Sequence, residues 1–181
     1  MPQIIDHLHN TEKRWFAVYC YYKREKTALL ELKNKGIDAF VPLISKTKKY
    51  ERKIKHFRVP LINHYVFVRI SKSEYNSVLE ARDVIRFIKF SKDLISIPCE
   101  EIEILKRFTG ESTFGFPEVV KPGKTGEEVE IISGNLAGIR AKLIKIKNND
   151  QVVIDLKQLA FSLQLEISIS QLKKINNPIL M

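Results

Sequence analysis

Between Thr109 and Gly126 the chain places Gly110, Gly115, Pro117, Pro122, Gly123 and Gly126 with no apolar period between them. Glycine and proline at that density break both helix and strand, and a stretch without an apolar face cannot be folded into a continuous core. A chain of 181 residues interrupted in this way reads as two domains. The sequence predicts a loose tail over 1–13, a first domain over 14–108, a linker over 109–126 and a second domain over 127–176.

In the first domain the hydrophobic period changes repeatedly. Trp15 to Tyr21 is dense in aromatic and β-branched residues and predicts a buried strand. Lys23 to Lys35 brings Ala28, Leu29 and Leu32 back at helical spacing, with Gly36 as the stop. Ile37 to Leu43 predicts a second strand that Pro42 restricts to an edge or an end, because proline has no N–H for the ladder. Tyr65 to Ile70 alternates strictly: Val66, Val68 and Ile70 suit an inward face, while Tyr65, Phe67 and Arg69 fall on the other. Those aromatics either form a second core or wait for a partner. Ser71 and Glu74 have the spacing of a capping box and open a helix to about Ala81, Val84 to Phe90 predicts a strand, and Pro98 to Phe108 a helix with acids first and bases last. The order is that of an α+β domain.

From Glu127 onward only short strands appear: Val129–Ile132, 139–146, Val152–Leu156 and 163–169, with polar turns at 133–138 and 148–150. So small a sheet hides its edges by closing, and the segment predicts a β-barrel.

The formal charge of +10 is a statement about polyanionic partners rather than about fold. It is concentrated: Lys46 to Arg58 holds seven basic residues against the single acid Glu51. Charge runs are often solvated faces; a two-stranded arm carrying Lys48, Lys49, Arg52, Lys53 and Lys55 can instead neutralise backbone phosphates, with Tyr50 and Phe57 placed to stack on unpaired bases. Tyr50-Glu-Arg-Lys53 is the expected turn of that arm. Two cysteines, Cys20 and Cys99, are too few and too separated for a disulfide scaffold or a zinc site. The motifs of phosphate loops, paired carboxylates and metal ligands are missing from the sequence, so catalysis has no candidate mechanism and no cofactor is expected. The apolar runs are too short for a membrane span or a signal peptide, and the expectation is a cytoplasmic protein.

Both halves together carry a family likeness. Trp15-Phe-Ala-Val-Tyr-Cys, Gly36-Ile-Asp-Ala-Phe-Val-Pro-Leu43, the basic hairpin and Val59-Pro-Leu-Ile-Asn-His-Tyr-Val-Phe-Val68 resemble the N-terminal (NGN) domain of the NusG family of transcription elongation factors. The likeness is to its specialised RfaH-, LoaP- and UpxY-type paralogues, antiterminators of capsular polysaccharide operons. Glu128-Val-Glu-Ile-Ile-Ser-Gly-Asn-Leu-Ala-Gly-Ile looks like a KOW motif. Two departures stand out: Asn63-His64 where members have Pro-Gly or Pro-Asn before the tyrosine, and Ala141 where many KOW motifs have a second glycine.

The resemblance implies an antiparallel sheet with flanking helices, a linker, and a KOW barrel. It implies that Tyr19, Tyr65 and Phe67 grip the clamp helices of RNA polymerase, that Tyr75, Asn76 and Ser77 face the opposite side of the cleft, and that the protein is a monomer. Contacts to non-template DNA or nascent RNA fall to the hairpin and to Lys23, Arg24, Asn34 and Lys35 on the first helix. Leu159 and Phe161, on a loop of the barrel, resemble the contact to a small-subunit ribosomal protein; barrel core is the other reading of the pair. An RNA-binding or ribosome-associated module that works without polymerase is the alternative function.

Overall fold

The computed structural model describes residues 5–90, 92–109, 117–146 and 149–175. The chain divides into two compact units, Met1–Ile102 and Glu103–Met181. The division falls within the third helix, a few residues before the boundary expected at 108.

In the first unit, strands β1 (Arg14–Cys20), β2 (Asp38–Phe40), β5 (Tyr65–Ile70) and β6 (Val84–Phe87) form an antiparallel sheet in the order β2-β5-β1-β6. Helices α1 (Glu25–Asn34) and α2 (Tyr75–Leu79) cover one face of it. Ala28 and Leu32 from α1 and Val78 from α2 are buried with Phe16, Val18, Val66, Val68 and Ile70 in one cluster. Each of these side chains except the single methyl of Ala28 contributes roughly 1.5–3 kcal/mol on leaving water, which is why a ten-residue helix too short to persist alone is stable here. Strands β3 (Leu43–Tyr50) and β4 (Lys53–Pro60) form a separate two-stranded hairpin. Helix α3 (Cys99–Arg107) follows, with Glu100 and Glu101 in its first turn and Lys106 and Arg107 in its last.

Several expectations change. The stretch 37–43 is not one strand: β2 ends at Phe40, β3 starts at Leu43, and buried Pro42 uses its carbonyl for the Leu61 N–H at 2.7 Å. β2 lies at the sheet edge, where a neighbouring proline is tolerated. The capping-box residues open a 3-10 turn, Lys72–Glu74, before α2, with Glu74 accepting the Ser71 N–H at 3.0 Å. The tail is tied down from Ile5 onward: the Leu94 N–H donates to Ile5 at 2.9 Å and the His7 N–H donates back to Leu94 at 2.9 Å. Bonds between residues so far apart in the chain leave no local sequence signal.

In the second unit β7 (Glu118–Val120), β8 (Glu127–Ile131), β9 (Arg140–Ile146), β10 (Asn149–Leu156), β11 (Phe161–Glu166) and β12 (Leu172–Lys174) form one six-stranded sheet, order β12-β8-β9-β10-β11-β7. Its pairs are antiparallel, and no ladder joins β7 to β12 among the described residues. β7 lies inside the expected linker because Val119 and Val120 pair with Leu163 and Ser162 of β11. Positions 110–116 of that linker, and residue 148 of the expected turn at 148–150, lie outside the described residues. Lys142 on β9 and Ser162 on β11 both donate to the Asp155 carboxylate on β10, at 2.7 and 2.5 Å. Burial raises the Asp155 pKa, but these hydrogen bonds outweigh it and hold the carboxyl below its usual range.

Candidate functional site

Two groups of side chains in the first unit stand out, an aromatic strip on the sheet and a cationic face on the hairpin. The strip follows from register. Tyr19 pairs with Tyr65 and Ala17 with Phe67, while Phe40 of β2 lies opposite Phe67 from the other side, so these side chains share the face away from α1 and α2. Phe40 and Tyr65 both lie 6.3 Å, centroid to centroid, from Phe67. Burial differs sharply along the strip. Phe67 is 0% exposed, whereas Tyr19 and Tyr65 are half-buried. Of the two readings for this face, Phe67 therefore takes that of a core residue, and the accessible part narrows to Tyr19 and Tyr65. Burial raises the Tyr65 phenol pKa and the neighbouring Tyr19 adds to it, so the ring presents a neutral hydroxyl.

The strip has supports that the sequence did not single out. His64 stacks on Tyr19 with centroids 4.9 Å apart and planes 8° apart. The Arg86 guanidinium lies 5.3 Å from the Tyr19 ring centroid. His64 is held from both sides: its N–H donates to Glu25 Oε1 at 2.7 Å, and its carbonyl accepts the Cys20 N–H at 2.8 Å. Glu25, the first residue of α1, is 3% exposed. Burial, with Glu25 and Asp83 adding, pushes the Cys20 thiol up to about 12, which leaves it an inert core residue. Alternation in β6 and the departure at Asn63-His64 were the available signals for Arg86 and His64.

Tyr75, Asn76 and Ser77 lie on α2, on the opposite face of the sheet from Tyr19 and Tyr65. Tyr75 stacks on Phe87 at 4.5 Å and packs against the core cluster, Asn76 is exposed, and Ser77 is half-buried. The structure does not bring the first-helix cations together. Lys23 and Arg24 precede α1 and Lys35 follows it, a separation of about 15 Å along a ten-residue helix. All three are exposed, as is Asn34. Lys23 has φ 60° and places its ammonium 5.0 Å from the ring centroid of Tyr22, which is 62% exposed.

The hairpin pairs Lys46 with Phe57, Lys48 with Lys55 and Tyr50 with Lys53, and those residues share one face. Four ammonium groups and two aromatic rings are thereby interleaved, with the Lys48 ammonium 5.1 Å from the Tyr50 ring centroid. The other face carries Lys49 opposite Ile54, Thr47 opposite His56 and Ser45 opposite Arg58. Arg52 sits in the two-residue turn, and neither it nor Glu51 adopts positive φ, so the turn is not of the primed type favoured in tight hairpins. Lys26 of α1 donates to the Arg58 carbonyl at 2.5 Å and fixes the base of the arm.

Leu159 and Phe161 are buried, at 6% and 8% exposure, and Phe161 opens β11 rather than lying on a loop. Among the described residues no three His, Cys, Asp or Glu side chains gather as metal ligands, and no helix is long and apolar enough to cross a membrane.

Comparison with known structures returns a Thermotoga maritima NusG structure concerned with domain interaction, at TM-score 0.58 and 19% identity, covering 92% of this chain and 99% of that one. Conformation A of the MjSpt4:Spt5 complex matches at TM-score 0.32 and 19% identity, covering 91% and 99%. No curated protein sequence matches. The family described as transcription termination factor nusG matches residues 13–106. That span is more than half of the 181 residues and contains both the aromatic strip and the hairpin, and the chain belongs to the NusG family.

Proposed function

We propose that the chain is a transcription elongation factor of the specialised kind, a processive antiterminator that binds RNA polymerase across its cleft. The observation that carries this reading is the paired Tyr19 and Tyr65, half-buried on one sheet face with His64 stacked on Tyr19, together with an exposed arm that has four lysines on one side. Rigid aromatics supply contact area at low entropic cost, which suits the clamp helices as partner. We assign Asn76 to the far side of the cleft, a reading its exposure on the opposite face of the sheet supports. Bridging both sides disfavours the open clamp that pausing and termination need, a population shift that requires no chemistry. The lysine face of the hairpin then holds non-template DNA or nascent RNA.

The second unit is read as the KOW domain, supported by the Gly134 and Gly138 turn, at φ 71° and 84°, between β8 and β9. Contact with a small-subunit ribosomal protein through Leu159 and Phe161 requires both to leave their buried positions.

The test is co-purification of RNA polymerase with the full chain and with Tyr65→Ala. The expected loss is on the order of 1–3 kcal/mol with an unchanged melting curve. Recovery of ribosomal subunits without polymerase sinks the proposal in favour of the ribosome-associated reading. Phe67→Ala serves as the contrast, since its buried ring should lower the melting temperature first.

A further inference from the structure

A second site lies away from the strip and the hairpin, on the side of the sheet that carries α2. The tied-down segment from Ile5 to Leu8 runs beside Leu94 and leaves a cleft of about 360 Å³ between itself, α2 and the loop after β6. Leu8, Leu94 and Tyr75 supply its apolar wall. Tyr75 is already stacked on Phe87 at 4.5 Å, so the ring is fixed before anything binds.

The mouth is cationic. Lys72 comes from the turn before α2, Lys89 from the chain after β6, and Lys92 from the tight turn closed by paired bonds between Phe90 and Asp93 at 3.0 and 2.9 Å. These three ammonium groups have no ion pair or hydrogen bond among the described residues. The single acid lining the cleft is Asp6, whose Oδ1 already accepts the Leu8 N–H at 2.9 Å.

Three lysines from two segments, the turn before α2 and the loop after β6, line one part-apolar cleft and make a good surface for a dianion with a non-polar face. Lysine recognises phosphate as a point charge, and the volume sits at the small end of ligand sites. We propose that this cleft binds a phosphomonoester of mononucleotide size, the phosphate held by Lys72, Lys89 and Lys92 and the body laid against Tyr75, Leu8 and Leu94. The site lies apart from the hairpin and shares Asn76 with the surface proposed for polymerase.

Titration calorimetry of the full chain with AMP, adenosine and inorganic phosphate at constant salt tests this. AMP should bind, and adenosine and phosphate should each bind at least tenfold more weakly, because each offers half of what the cleft recognises. Lys89→Ser with Lys92→Ser should weaken AMP at least tenfold without changing the melting curve, while Lys48→Ser with Lys55→Ser on the hairpin should leave it unchanged. A dinucleotide with a 5′-phosphate that displaces AMP, where its unphosphorylated form does not, would place the ligand at a strand end; displacement by free nucleotides alone would place it in solution; both support the site. Phosphate binding as tightly as AMP, AMP affinity that follows the hairpin lysines, or no AMP binding at all would overturn it.

Discussion

His64 adopts φ 69°, a region where a residue with a Cβ is held only if its surroundings compensate. Here they are identifiable: the Glu25 carboxylate accepts its N–H at 2.7 Å, Cys20 bonds its carbonyl, and Tyr19 stacks on its ring. The departure from Pro-Gly seen in the sequence at Asn63-His64 is thus met by a buried acid at the start of α1. Nothing local announces that role, because Glu25 and His64 are 39 positions apart. Glu25→Ala should cost about 1–3 kcal/mol, the range for leaving a buried donor without an acceptor. Glu25→Gln, which keeps an acceptor oxygen, should cost less. Urea midpoints of the two variants check this, and equal losses would mean that the carboxylate charge, which Gln lacks while matching its volume, and not a neutral acceptor oxygen, is what Glu25 supplies.

At the scale of elements, periodicity was enough to find α1 and β5, while β1 was legible from its aromatic and β-branched density and α3 from Pro98 and the order of its charges. It was not enough to say what covers the second face of β5. Alternation sorts side chains between faces, and both faces of a strand can be buried, as Phe67 at 0% exposure demonstrates. The hairpin was legible as a charge run, while the division of its lysines between two faces needed the register. That register makes a prediction the run alone could not. Replacing Lys48 and Lys55 by serine removes two cations from the face that holds Tyr50 and Phe57; replacing Lys49 and Arg58 removes two from the other. If the aromatic face holds nucleic acid, the first pair should lower the log–log salt slope of single-strand binding by about 0.7 for each phosphate no longer neutralised, and the second pair by less. Stability should hold or rise slightly in the first variant, since Lys48 and Lys55 are like charges directly opposed. Equal slopes for both variants would mean the arm acts as a diffuse cation without a preferred face.

At the scale of the whole molecule, glycine and proline composition predicts a break over 109–126, whereas the chain divides into compact units between Ile102 and Glu103. β7 begins inside the expected linker and the division falls within α3, because pairing between 118–120 and β11 and the packing of a helix end depend on partners far along the chain. Each unit has its own sheet, and two separate sheets with separate cores need not unfold together. Calorimetry of the full chain should resolve two transitions. Leu163, 0% exposed on β11, lies in the second unit, and Leu163→Ala should cost about 2–5 kcal/mol there. Gly126→Ala attacks the same unit by another route: its Cβ would come within 2.3 Å of the Leu143 carbonyl oxygen, too close unless the backbone moves. Val68→Ala, in the sheet that carries the strip, should act on the first unit alone. Each affected transition should fall by roughly 4–8 °C per kcal/mol while the other stays in place. If Leu163→Ala and Val68→Ala lower a single shared transition, the two units fold as one body, and the assignment of polymerase contact to one and factor contact to the other loses its structural basis.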